Sequence, residues 1–176
     1  LPADKGARPL GNVQFLARVS GRILKANMPA VPEWLLEQVA GHAIDFYAMS
    51  EDLPHPESRI TVDRDRIVMK WTRTNWQAHL DLVTKLKAAL KQAGFPVVLA
   101  RAFDKRTPSH QCGTVRIGSD PATAPLDIWC RAHDHPNLFV VDASYLPTSA
   151  SVNPALTVAA QALRVASHIK SRDLAA

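Results

Sequence analysis

The segment NLFVVDASYLPTSASVNPALTVAAQALRVASHIK, residues 137–170, decides how the chain is read. Leu138 to Val141 form a continuous apolar run that ends on Asp142 and two small residues. Such a run predicts a buried strand, parallel to its neighbours, with functional groups at its C-terminal end. A helix is expected from Asn153 to Lys170, with Asn153 as its N-cap and Pro154 at its first position. Ala, Leu and Val fill most of it, and Gln161, Arg164 and His168 form one narrow polar stripe. A helix so apolar is expected to be buried on more than one side. The pair predicts an α/β fold, yet the other strands of the sheet are not found in the sequence. A buried parallel strand needs covered neighbours. The chain is therefore expected to be a fragment of a larger fold.

Upstream, residues 10–28 predict an amphipathic helix with Gly21 as its weak point. Pro32 and Glu33 open a second helix, whose last part, AIDFYAM (residues 43–49), reads as helix or strand. RITV and RIVMKW flank Asp63-Arg64-Asp65 and predict a β-hairpin. Asn75 to Ala93 is the clearest amphipathic helix, closed by Gly94. FPVVLA, residues 95–100, predicts a short strand. Residues 103–131 form a long irregular stretch that carries HQCGTVRIG, His110 to Gly118.

The 176 residues, 47% apolar and 21% charged, suit one globular domain or a generous part of one. No stretch approaches the roughly 20 apolar residues of a membrane span. The net charge of +5 raises nucleic acid as a partner, but the basic residues are scattered among 16 acids with no interleaved aromatics, so nucleic acid is not expected. Two cysteines, Cys112 and Cys130, make no disulfide framework and no zinc site, so no metal is expected. Reduced thiols make the cytoplasm the default compartment. The periplasm stays open, because the first residue is Leu1 and an export signal would lie upstream.

His110 is the chemical candidate, since histidine accepts protons near neutral pH. A loop histidine also serves as a surface or hydrogen-bonded structural group, and six others (42, 55, 79, 133, 135 and 168) compete, none in so glycine-marked a setting. Asn153 reads as a helix cap. The same position sits at a helix N-terminus, whose free N–H groups and positive dipole end stabilise negative charge. Asp142 either ends the strand or meets a sugar or ribityl hydroxyl. Cys112 reads as a packed thiol.

Together, HQCGTVRIGSDP and NLFVVDASYLPTSASVNPALTVAAQALRVASHI closely resemble the C-terminal signature of the glucose–methanol–choline (GMC) flavoprotein oxidoreductases. MSEDLPHPESRITVD, residues 49–63, looks like the strand region that opens this portion in bacterial members. The resemblance covers residues 45–170 and is weaker over 1–44. It implies an α/β architecture in which 45–136 is a substrate-domain-like α+β part carrying the His110 loop. Residues 1–44 would be a helical lead-in, and 137–176 the last strand and helix of a Rossmann-like FAD-binding domain. It implies FAD as cofactor and an alcohol, sugar or polyol as substrate, with hydride passing from a CH–OH carbon to flavin N5. By motif position His110 would take the hydroxyl proton, and Asn153 would hydrogen-bond the substrate hydroxyl as the second member of a His/Asn pair. Asp142 and Ala143 would occupy the FAD-contacting turn. Asn153, Pro154 and Thr157 would lie at the pyrimidine edge of the flavin.

The departure from the family pattern is that no GxGxxG fingerprint is present, so the isolated chain is expected to bind FAD poorly and to be inactive. The region supplying it would be the chain's missing partner, on the same polypeptide. A non-catalytic interaction subunit is the alternative. A hydrolase is disfavoured by the lack of a G-x-S-x-G elbow. The electron acceptor (oxygen, quinone or a haem partner) stays open.

Overall fold

The computed structural model describes residues 10–102 and 109–174. The stretch 103–108 of the expected irregular segment, and both ends of the chain, lie outside the described residues. The chain divides into two compact units, residues 1–49 and 50–176.

In the first unit, β1 (Asn12–Ala17) pairs antiparallel with β2 (Asp45–Met49), with Phe15 opposite Phe46. The register shifts between Phe15 and Ala17, where Ala17 takes φ +62. Residues 10–28 are therefore not one helix. The alternation of Val13, Phe15 and Ala17 suits strand pairing, and Ser20 restarts the chain as N-cap of α1 (Gly21–Asn27), accepting from Ile23 N at 3.4 Å. Gly21 is no weak point. A Cβ there would lie 2.4 Å from the backbone nitrogen of Glu37, so only glycine lets α1 meet α2 (Glu33–Gly41) this closely. Glu37 also accepts from the Gly21 amide at 2.6 Å. Leu36 and Ala40 supply the buried face of α2.

The second unit opens with the expected hairpin, β3 (Arg59–Asp63) and β4 (Arg66–Lys70), turning through Arg64 at φ +53. The expected helix is α3 (Trp76–Gln92), entered through Asn75 in the left-handed region, which asparagine tolerates, and left through Gly94 at φ +95. Residues 95–100 form no strand. Val97 and Leu99 are exposed there with no pairing partner among the described residues, and an unpaired run cannot hold strand geometry.

The core of this unit is Leu126, Cys130, Tyr145 and Val165, flanked by Val115, Ile117, Phe139, Val140 and Val158. Residues 138–141 depart from expectation. Instead of a parallel strand they make a short antiparallel bridge, Phe139 opposite Arg131, with Val140 N donating to Cys130 O at 3.0 Å. The tight turn at 132–138 returns the chain directly beside itself, which forces antiparallel pairing; a parallel neighbour needs a long crossover. The described structure is thus a mixed α and β arrangement with two small antiparallel sheets.

The terminal helix, α4 (Ala155–His168), continues into a π-helical turn, Ile169–Asp173. Pro154 rather than Asn153 takes the N-cap place, with no side-chain cap. The helix is buried along one side only, the side of Val158, Gln161, Val165 and His168. Leu156 and Leu163 are 83% and 74% exposed, against the expectation of burial on several sides. The polar stripe runs along this side, with Arg164 at its exposed edge. Gln161 Nε2 lies 3.2 Å from Cys130 Sγ, Arg164 donates to Ile128 O at 2.9 Å, and His168 stacks on Trp129 with centroids 4.0 Å apart.

Candidate active site

The His110 loop lies along the segment that follows Asp142. Val115 N donates to Ser144 O at 3.0 Å. Gly113, at φ +81, presses so close to the Pro147 carbonyl that an added Cβ would stand 3.2 Å from it. The glycine-marked motif therefore abuts the loop that leads to Asn153. His110 itself sits at φ +55, half-buried, and its carbonyl faces the Cys112 thiol at 3.3 Å. Histidine is among the few side chains that take this backbone region readily.

Five of the competing histidines have structural partners. His42 Nδ1 meets Gln38 O, His55 Nδ1 accepts from Glu57 N, His79 meets Ser50 Oγ, His133 Nε2 meets Gly118 O, and His168 stacks on Trp129. Among the described residues, none engages the His110 imidazole. His79 is also held below the ordinary histidine range, first by burial and then by the nearby Arg73 charge, which disfavours its protonated form.

Asp142 caps the 3₁₀ turn Ala143–Tyr145, accepting from Ser144 N at 2.8 Å and from Ser144 Oγ. These hydrogen bonds, the side-chain one first, keep its carboxyl below its usual range. Tyr145 is buried, and its hydroxyl donates to Thr157 O at 3.3 Å, tying the turn to the first turn of α4. Burial pushes its phenol up, as it does the Cys112 thiol, which leaves Cys112 a poor nucleophile.

Asn153 and Thr157, at the start of α4, are exposed. Its first ladder bond runs from Val158 N to Pro154 O, which leaves the amides of residues 155–157 without an acceptor in the helix. The cleft beside the core, about 230 Å³ and lined by Leu126, His133, Leu138 and Val140, contains none of the sequence-predicted site residues. One contact at this site was not foreseen. Thr148 Oγ1 donates to the carboxylate of Glu51, 97 residues away in sequence, and no motif or spacing announces such a pair. Among the described residues no cluster of His, Cys, Asp and Glu could hold a metal ion, and no helix is long and apolar enough to cross a membrane.

The structure thus brings together the His110 loop, the Asp142-capped turn and, through Tyr145 and Thr157, the first turn of α4. The chain belongs to the GMC oxidoreductase family, whose model matches residues 54–162, more than half of it, and it represents a C-terminal portion of that family. Members of the family are generally FAD flavoproteins. The chain is 49% identical over 57 residues to paromamine 6'-oxidase of Streptomyces fradiae, covering 32% of this chain and 10% of that protein. It is 30% identical over 146 residues to the fructose dehydrogenase large subunit of Gluconobacter japonicus, covering 73% and 25%. Over 143 residues it is 29% identical to 2-methyl-1,2-propanediol dehydrogenase of Mycolicibacterium austroafricanum, covering 75% and 26%. The chain thus spans about a quarter or less of the length of these relatives.

Proposed function

We propose that this chain forms the C-terminal part of an FAD-dependent oxidoreductase acting on the CH–OH group of an alcohol, sugar or polyol. The observation that carries the reading is the packing of Gly113 on Pro147, which holds the His110 loop against the loop leading to Asn153. The relatives' names add weight to the substrate class, since fructose is a sugar and 2-methyl-1,2-propanediol a diol.

FAD, when bound, supplies the acceptor for the hydride. His110 takes the substrate hydroxyl proton on an imidazole nitrogen that none of the described residues engages. Asn153 hydrogen-bonds the same hydroxyl and orients it. The amides of residues 155–157 fit the cofactor's electron-rich edge, because they are fixed donors at the positive end of α4 and need no reorganisation. Asp142 and Ala143 form the turn beside it, and Pro154 and Thr157 line the helix start. Residues 137–176 would complete an FAD-binding domain, and 45–136 would face the substrate. The exposed apolar face of α4, with Leu156 and Leu163, supports a partner region on the same polypeptide.

The test is His110→Gln in the intact flavoenzyme. Flavin reduction by substrate should slow by about 10²–10⁴-fold with FAD retained; an unchanged rate removes His110 from the proton-transfer role. The isolated 176-residue chain should not retain stoichiometric FAD, and a yellow, alcohol-oxidising product would overturn the partial-chain reading.

A further inference from the structure

The loop that delivers Asn153 has an unusual backbone. Ala150 and Ser151 stand consecutively in the left-handed region, at φ +52 and +58, although neither is glycine. Such conformations persist only where surrounding contacts over-determine them. Here the contacts converge on one hydroxyl. Thr148 Oγ1 accepts from Ala150 N at 3.3 Å and donates to the Glu51 carboxylate. Val152 N closes the turn on Ser149 O at 3.2 Å. Glu51 is itself held, since Asn75 Nδ2 donates to its carbonyl at 3.0 Å and Asp52 beside it accepts from Trp71 Nε1 at 2.9 Å and from Thr74 N at 3.1 Å. The far side of the loop is set by Gly113 under Pro147.

We infer that Glu51 is a positioning residue for the active site: through Thr148 it fixes the left-handed turn at 150–151 and thereby the placement of Asn153. This rests on the proposed oxidoreductase reading for its effect on catalysis, but not for its effect on the loop. Glu51 acts as a hydrogen-bond acceptor, so an amide can replace it and a methyl group cannot.

The experiment compares Glu51→Ala, Glu51→Gln, Thr148→Val and Thr148→Ser in the intact flavoenzyme, with two readouts. Amide hydrogen exchange at Ala150 and Val152 should accelerate at least about tenfold in Glu51→Ala and Thr148→Val. Flavin reduction at saturating substrate should fall by about 10–100-fold in the same two variants, with KM little changed and FAD retained. Glu51→Gln and Thr148→Ser, which keep the acceptor and the donor, should restore both. Should Glu51→Ala fail to fold, Thr148→Val carries the same comparison. Unchanged exchange in Thr148→Val overturns the pin. Faster exchange with an unaltered reduction rate overturns the positioning role. A wild-type enzyme that oxidises no CH–OH substrate would sink the functional reading and the positioning role with it, while exchange would still decide whether Glu51 holds the loop.

Discussion

Gly113 offers a test of the contact that joins the two halves of the proposed site. Replacing it by alanine imposes two costs. The first is backbone: φ +81 disfavours any L-residue by about 1–2 kcal/mol. The second is steric. The new Cβ would meet Pro147 O at 3.2 Å and Leu146 O at 3.5 Å, so the 146–148 loop must retreat by a few tenths of an ångström. Gly94 supplies the control, because it stands at φ +95 with nothing within 4 Å of an added Cβ. Gly94→Ala therefore incurs the backbone cost alone. The change in unfolded-chain entropy is the same in both variants and cancels in the difference. Gly113→Ala should lose about 2–3 kcal/mol and Gly94→Ala about 1 kcal/mol. At about 2–4 °C per kcal/mol for a chain of this size, thermal melts by circular dichroism should separate them by several degrees. Exchange at the Val115 amide should rise only in Gly113→Ala, since that amide bonds to Ser144 O. Equal melting shifts and equal Val115 protection would refute the close packing of the His110 loop on the 144–148 segment.

Leu126→Ala, at a side chain only 1% exposed, should cost about 2–5 kcal/mol in denaturant titration. His79 has its pKa lowered in the fold, so the unfolded chain protonates first. Stability should be full above about pH 6.5 and decline as pH falls below it, and His79→Gln, which cannot titrate, should abolish the slope in pH-dependent melts. Asp142 has its carboxyl held low by Ser144, so its contribution is present above the ordinary carboxylate range and is lost as pH drops through the folded value. Asp142→Asn, which can still accept from Ser144 N, should flatten the acid limb of the same melts.

Much of the local structure was legible because it rests on short-range physics. The hairpin at 59–70 follows from apolar runs around a turn, and α3 from helical spacing ended by Gly94. The failures share a cause in pairing partners that apolar spacing alone does not name. Residues 10–28 look helical by apolar spacing, but β2, some thirty residues on, draws their first half into a strand. Residues 138–141 look like a parallel strand, but among the described residues their ladder partner is Arg131, just across a tight turn. The glycine-marked motif around His110 stood out in the sequence, and the structure seats its Gly113 against Pro147. The Glu51–Thr148 pair did not stand out, since two polar residues 97 positions apart carry no periodicity to detect.

The polar stripe of α4 bears on how the helix settles. A cylinder coated with Ala, Leu and Val nearly all round has many rotations of similar apolar contact, so greasy packing alone leaves its azimuth undetermined. Gln161, Arg164 and His168 remove that freedom, because only one rotation brings an amide to Cys130, a guanidinium to Ile128 O and an imidazole flat on Trp129. They act as teeth on a key. By choosing which side of α4 faces the core, they also choose which side is left outward, and so aim Leu156 and Leu163 in a fixed direction.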